Sequence, residues 1–341
     1  MPNPQAWLQP CLHPVYARLL CAELRRCGFD QQQIMAGTRL DWATLHSDNR
    51  FLSFAQSRRL ILRGLELSQC PWLGLRVGAS TQLATHGALG VLAMASPNVA
   101  QAIVAVQRFV SLRENLASFS ISQDDGLALR LHEHEHVLSD DVREYVLGHV
   151  VAGMLNLLQT ISGQDLYSQV RIHWPFAEPA WGQAYRTLCP QSSFNAPHLL
   201  VQLPLTLLNC PSLGADSEAL RLALRDCERQ LKQLQGGSLS QRIQQRLLAC
   251  DGQYPTLEQL AVEEHVAPRT LIRHLRDEGV NYQQLLDGVR EELACWLLLR
   301  TELSVEAIAE RLGYQDTSNF SRTFRRWLGI TPRDFRSGCR Q

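Results

Sequence analysis

TLEQLAVEEHVAPRTLIRHLRDEG (Thr256–Gly279) and SVEAIAERLGYQDTSNFSRTFRRWLG (Ser304–Gly329) are two versions of one local design, and they decide how the C-terminal part of this chain folds. Each opens with a hydroxyl side chain able to cap a helix, Thr256 or Ser304. Each continues as a short apolar-periodic helix, through Leu257, Leu260 and Ala261 or through Val305, Ile308, Ala309 and Leu312. A break follows, at Val266-Ala267-Pro268 in one copy and Gly313-Tyr314-Gln315-Asp316 in the other. The next helix carries its apolar residues at i and i+4: Leu271 and Leu275, then Phe320 and Phe324. Short helix, tight turn and second helix with a polar outer face is the helix-turn-helix design, here present twice. Asn281 to Arg300 (NYQQLLDGVREELACWLLLR) joins the copies as one amphipathic segment.

The second helix of such a unit lies in the major groove of DNA, with its polar face against base edges. With Leu271 and Leu275 turned to the core, Arg269, Thr270, Ile272, Arg273 and Arg276 occupy the other faces of the first copy. Arg269 and Arg273 are i, i+4 neighbours, and each guanidinium fork matches guanine O6 and N7, a contact worth ~1–3 kcal/mol of discrimination. In the second copy Thr317, Ser318, Asn319, Ser321 and Arg322 form the equivalent face, Arg325 and Arg326 lie one turn on, and Asp316 is the expected N-cap. Arginine serves phosphate as readily as bases, so the pattern points to DNA contact without assigning bases.

These motifs resemble the DNA-binding domain of the arabinose-regulator (AraC/XylS) family of bacterial transcription factors. The residues that carry the resemblance are PRTLIRHLRDEG and LSVEAIAERLGYQDTSNFSRTFRRWLGITPRDFR, with Asn281–Arg300 similar to the family's linker helix. The resemblance implies base or phosphate contact by Arg269, Arg273, Asn319 and Arg322. One departure stands out: the family usually has Ser where this chain has Ala267, and losing such a cap costs ~1 kcal/mol. Pro268 at N1 restores part of the helix-start signal.

The bulk composition is that of an ordinary globular chain: 341 residues, 45% hydrophobic, 19% charged, long enough for two or three domains. Formal net charge is zero, so any basic footprint is a local stripe and not a bulk property. Lys232 is the only lysine. The ten cysteines are irregularly spaced without a Cys-x-x-Cys, which fits neither a disulfide framework nor a zinc finger. No leader-like apolar run opens the chain, and no run reaches ~18 uninterrupted apolar residues, so a cytoplasmic protein without a membrane span is expected.

Ahead of the double motif, residues from about Val15 to Val110 read as helical, with Asn98 or Ser96 able to cap a helix from Val99. From Phe119 the pattern alternates: SFSISQ and LALRLHEH flank Asp124-Asp125-Gly126 as a β-hairpin. A helix capped by Ser139 runs to Gln159, then QVRIHWPF reads as a strand, AWGQAYRTLC as a helix and HLLVQLP as a strand. This order is similar to the non-cupin, arabinose-binding-type effector domain of one branch of the same family, and it holds too few strands for a jelly roll. In the helix Asp216–Gln235, Leu220, Leu224, Cys227, Leu231 and Leu234 form a short heptad seam, suited either to a dimer contact or to packing on the N-terminal domain. Gly236-Gly237-Ser238 then breaks the helix.

His132-Glu133-His134-Glu135-His136 matches H-E-x-x-H, but zinc hydrolysis needs both histidines on a helix, and this run continues a strand. It reads as a solvated strand end. His149 on an apolar helix face reads as a satisfied core histidine; Tyr145, His149 and Trp174 could line a pocket.

The expectation is a multidomain chain: an α+β effector and dimerisation domain over 1–208, a connecting helix and Gly-Gly-Ser linker over 209–238, and an all-α double helix-turn-helix domain over 239–341. It is expected to bind promoter DNA as a homodimer, answer to a small-molecule effector and contact RNA polymerase, with no cofactor, metal or catalytic residue. Two alternatives are a regulator answering only to a protein partner and a metal-dependent enzyme fused to a DNA-binding module.

Overall fold

The computed structural model describes residues 7–47, 50–122, 127–133 and 140–338. The hairpin turn Asp124–Gly126, the capping position Ser139, His134 to His136 and Cys339 lie outside the described residues. The chain forms two compact units, one over residues 10–235 and one over residues 236–341 together with the chain up to Gln9.

The first unit begins with β1 (Pro10–Leu12), α1 (Val15–Arg26), α2 (Gln31–Met35), α3 (Trp42–Ser47), β2 (Leu52–Ser53), α4 (Phe54–Ser68), α5 (Leu73–Ala79), α6 (Ala88–Ala95) and α7 (Val99–Phe109). Within the stretch that reads as helical, a short strand intervenes before α4. Leu52 and Ser53 are drawn off to pair with β1, and Ser53 then closes a capping box with Gln56. Residues 83–95 are not one helix but a 3-10 turn, Leu83–His86, followed by α6, because Gly87 between them has φ +55°. Asn98, not Ser96, caps α7 by accepting from the Gln101 amide.

A five-stranded mixed sheet follows, built from β3 (Ala117–Ser122), β4 (Leu127–Glu133), β5 (Arg171–His173), β6 (Gln191–Ser193) and β7 (Leu200–Leu203), in the order β3-β4-β7-β5-β6. Only β5–β6 is parallel. The long helix α8 (Asp140–Ser162) and the short α9 (Gly182–Leu188) are threaded between these strands in sequence. By length and apolar composition α8 could cross a bilayer; here Leu147, Val151, Ala152 and Leu155 are instead fully buried in the core with Ile172, Trp174 and Val201 of the sheet region. Helix α5 lies directly against α8. A Cβ at Gly74 would stand 2.1 Å from the Tyr145 carbonyl oxygen, and one at Gly78 2.4 Å from that of His149. Only glycine permits that approach, which fixes the turn of α8 bearing Tyr145 and His149. Trp174 is core, in edge contact with Tyr185 at 4.8 Å and donating to Ser192 Oγ.

Helix α10 (Ser217–Gly236) closes the unit. Within the chain its seam packs on the first unit: Cys227 is buried, and Leu220, Leu224, Leu231 and Leu234 lie partly buried, with Leu89, Leu92, Phe109 and Leu112.

The second unit is all helical: α11 (Leu239–Leu248), α12 (Leu257–Glu263), α13 (Pro268–Asp277), α14 (Tyr282–Arg300), α15 (Val305–Arg311), α16 (Thr317–Leu328) and α17 (Pro332–Gly338). Helix α14 is the spine, with Leu293, Ala294, Cys295, Trp296, Leu297 and Leu298 all buried. Its Arg290 guanidinium lies over the Tyr254 ring at 4.7 Å and the Tyr314 ring at 5.1 Å, tying the approach to α12 and the α15–α16 turn to one helix. Arg336 donates to the carbonyls of Leu298 and Leu303, closing the far end.

Candidate nucleic-acid interface

Helices α12–α13 and α15–α16 form the two helix-turn-helix units. Thr256 and Ser304 cap the first helix of each, accepting from the amides of Gln259 and Ala307. The spines sit as the spacing requires: Leu271 and Leu275 are 0% and 1% exposed, Phe320 and Phe324 both 0%. Ala267 leaves α13 without a side-chain cap and Pro268 stands at its start, whereas Asp316 accepts from the Asn319 amide at 2.6 Å on α16.

The spines put the outer faces in register. Counting from Leu271 and Phe320, Arg269 matches Ser318, Arg273 matches Arg322 and Arg276 matches Arg325. At 3.6 residues per turn each trio falls within roughly 60° of arc, opposite the buried side. All six residues are exposed, as are Asn319 and Ile272, the latter at 42%; Thr270, Thr317 and Ser321 are half-buried on the flanks.

The arginines divide into two groups. Arg242 pairs with Glu264 at 2.5 Å, Arg246 with Glu263 at 3.2 Å and Arg311 with Asp251 at 3.0 Å. Arg326 and Arg333 lie 3.9 Å from Asp287 and Glu306. Arg290, Arg300 and Arg336 are held by aromatic rings or carbonyls. Among the described residues, Arg269, Arg273, Arg276, Arg322 and Arg325 have no hydrogen-bonding or ionic partner, and all five project from the outer faces of α13 and α16. A charge left solvated and unpaired on a convex helix face is available to a phosphate or a base edge.

Residues 28–212 match the family described as the arabinose-binding domain of AraC transcription regulator, N-terminal, and residues 260–338 match a helix-turn-helix domain. This chain belongs to the AraC family of transcription regulators. The ornithine utilization regulator of Pseudomonas aeruginosa is 31% identical to it over 324 residues, 94% of this chain and 95% of that one. The regulator VirS of Mycobacterium tuberculosis is 25% identical over 92% of this chain and 93% of its own length. The crystal structure of the transcriptional regulator CdpR from Pseudomonas aeruginosa is 24% identical, covering 95% of this chain and 98% of that one at a TM-score of 0.48. As a member of the family the chain is a DNA-binding transcription regulator.

The arabinose-binding-type unit contains a cavity of about 280 Å³ whose wall is overwhelmingly aliphatic. Tyr145 and His149 line it, as their spacing allows; Trp174 does not. Tyr16 stands between two imidazoles, edge-on to His86 at 6.1 Å and to His149 at 5.5 Å. His149 is not the satisfied core histidine its helix face suggests: its Nδ1, and Nε2 of His86, are buried without a hydrogen-bond partner among the described residues. Burial, with the Arg113 charge beside His86, lowers its pKa to about 4; burial, with His86 alongside, does the same for His149, so both rings are neutral at neutral pH. Arg113 reaches the cavity from the end of the segment after α7 and is itself buried, at 7% exposure. Beyond Tyr145 and His149 the sequence did not reveal this site, because its walls come from residues as far apart as Leu12 and Ile161.

His132, at the end of β4, accepts or donates one hydrogen bond with Ser120 Oγ at 2.7 Å. Among the described residues no three His, Cys, Asp or Glu side chains gather as a metal site.

Proposed function

We propose that this regulator reads promoter DNA with α13 and α16 in successive major grooves, one helix-turn-helix unit per groove turn. In this reading Arg269, Arg273, Arg276, Arg322 and Arg325 contact guanines or phosphates, Thr270, Ser318, Asn319 and Ser321 supply shorter-range polar contacts, Thr317 serves the phosphates at the helix start, and Ile272 meets a thymine methyl. The observation that carries it is the coincidence of two independent sets. Within residues 239–338, the described arginines without a partner are the arginines that the spine register turns outward.

In the same proposal the N-terminal unit binds a small-molecule effector in its cavity, and binding changes promoter occupancy or contact with RNA polymerase. The effector must bind two arrangements of the regulator with different affinity, since equal affinity shifts nothing. The regulator works in the cytoplasm as a homodimer on repeated sites. The test is fluorescence anisotropy on duplexes tiled across the DNA upstream of its own gene, at several salt concentrations. One duplex should bind far more tightly than the rest, and Arg269→Ala with Arg273→Ala should remove that preference. Full preference retained by the double variant would refute the assignment.

A further inference from the structure

The cavity wall is not uniformly inert, and its polar features converge. Arg113 donates from Nε to the His86 carbonyl at 3.2 Å, from Nη1 to the Leu112 carbonyl at 2.9 Å, and from Nη2 to the His86 carbonyl again. Every partner is a carbonyl. Among the described residues no carboxylate pairs with this buried guanidinium, and two of its five N–H donors remain unused. The one carboxyl of the wall, Glu114, accepts the Leu116 amide at 2.7 Å, and burial pushes it up toward the neutral form. A charge taken out of water is stable only when an opposite charge and hydrogen bonds replace the solvent. Within the same wall stand the unpartnered nitrogens of His86 and His149.

We infer that the cavity takes an amphipathic carboxylic acid: an aliphatic or aromatic body in the apolar pocket, with its carboxylate facing Arg113 and the imidazoles of His86 and His149. The volume sets the size. A cavity of ~150 Å³ holds benzene; by proportion, about 280 Å³ suits a body of roughly eleven heavy atoms. A zwitterionic amino acid such as the ornithine of the relative's name would place two ammonium groups in an aliphatic wall whose one carboxyl, Glu114, is already taken by the Leu116 amide and pushed toward its neutral form, a costly burial.

This inference rests on the effector role proposed above, but its test does not need DNA. Full-length protein is titrated by calorimetry and thermal shift with decanoate, decanol and L-ornithine. Decanoate should bind and raise the melting temperature, decanol should bind at least about tenfold more weakly, and ornithine should give no shift. Arg113→Gln should bring decanoate down to the level of decanol. Because Arg113 also holds the Leu83–His86 turn, a second variant, Ile103→Trp, fills the pocket from another helix and should abolish decanoate binding with the fold intact. Equal affinity for decanol and decanoate, a response to ornithine alone, or no binding by either C10 compound would each overturn the inference. Decanoate binding that leaves promoter affinity unchanged would uphold the ligand class while removing the effector role.

Discussion

The two helix-turn-helix units share a scaffold and differ in how the reading helix is held. In the first, the turn passes through His265 at φ 56°, a left-handed conformation uncommon for a residue with a side chain; in the second the equivalent position is Gly313 at φ 74°. The first reading helix starts at Ala267 with no side-chain cap, the second at Asp316 with one. The first has an aliphatic spine. The second has an aromatic file, Tyr314, Phe320, Phe324 and Phe335, with successive ring centres 5.4–5.7 Å apart. Against this, α13 carries three unpartnered arginines on its outer face and α16 carries two, with Ser318 in the third place. The more charged reader is therefore the less locally ordered one. Its arginines are placed by tertiary packing, while those of α16 are placed by its own cap and turn.

Hydrogen exchange on the full chain, read segment by segment, can break or sharpen that contrast. The largest effect is expected from Gly313→Ala. Its Cβ would fall 2.3 Å from the Gly252 carbonyl oxygen, and the left-handed backbone adds its own ~1–2 kcal/mol, so protection over α15 and α16 should fall sharply. His265→Ala, the equivalent change in the first unit, should leave protection over α13 almost unmoved. Next in size is Asp316→Ala, which should lose ~1 kcal/mol of protection at the first turn of α16. Ala267→Ser should gain ~0.5–1 kcal/mol at the start of α13 and narrow the difference between the units. A smaller gain is expected from His265→Gly: relief of the left-handed strain, offset by the greater freedom of glycine in the unfolded chain, leaves about a few tenths of a kcal/mol.

What the sequence made legible was whatever local chemistry writes at short range. Caps at Thr256, Ser304 and Asp316 and the i, i+4 spines are each settled within four residues and stand where the pattern put them, and of the two candidates before Val99 the cap is Asn98. Features that depend on distant partners were not legible. Nothing local in α5 announces that Gly74 and Gly78 are the surface on which α8 rests. The three-residue β6 shows no alternation and exists because β5 lies beside it. The heptad seam of α10 could be read in sequence, but not that Leu89, Leu92, Phe109 and Leu112 are what it packs with inside the chain. The separation of paired from unpaired arginines was equally hidden: Arg246 and Arg273 look alike in sequence, and only the fold brings Glu263 to the former.

That last distinction supports the most direct test of the whole account. Binding to the regulator's preferred duplex would be measured from low to moderate salt for wild type, Arg273→Ala and Arg246→Ala. The account predicts that Arg273→Ala weakens binding by ~1–3 kcal/mol if it contacts a base, or lowers the salt slope by about one if it contacts a phosphate, while Arg246→Ala follows wild type. Equal losses from the two variants, or a loss confined to Arg246→Ala, would contradict it.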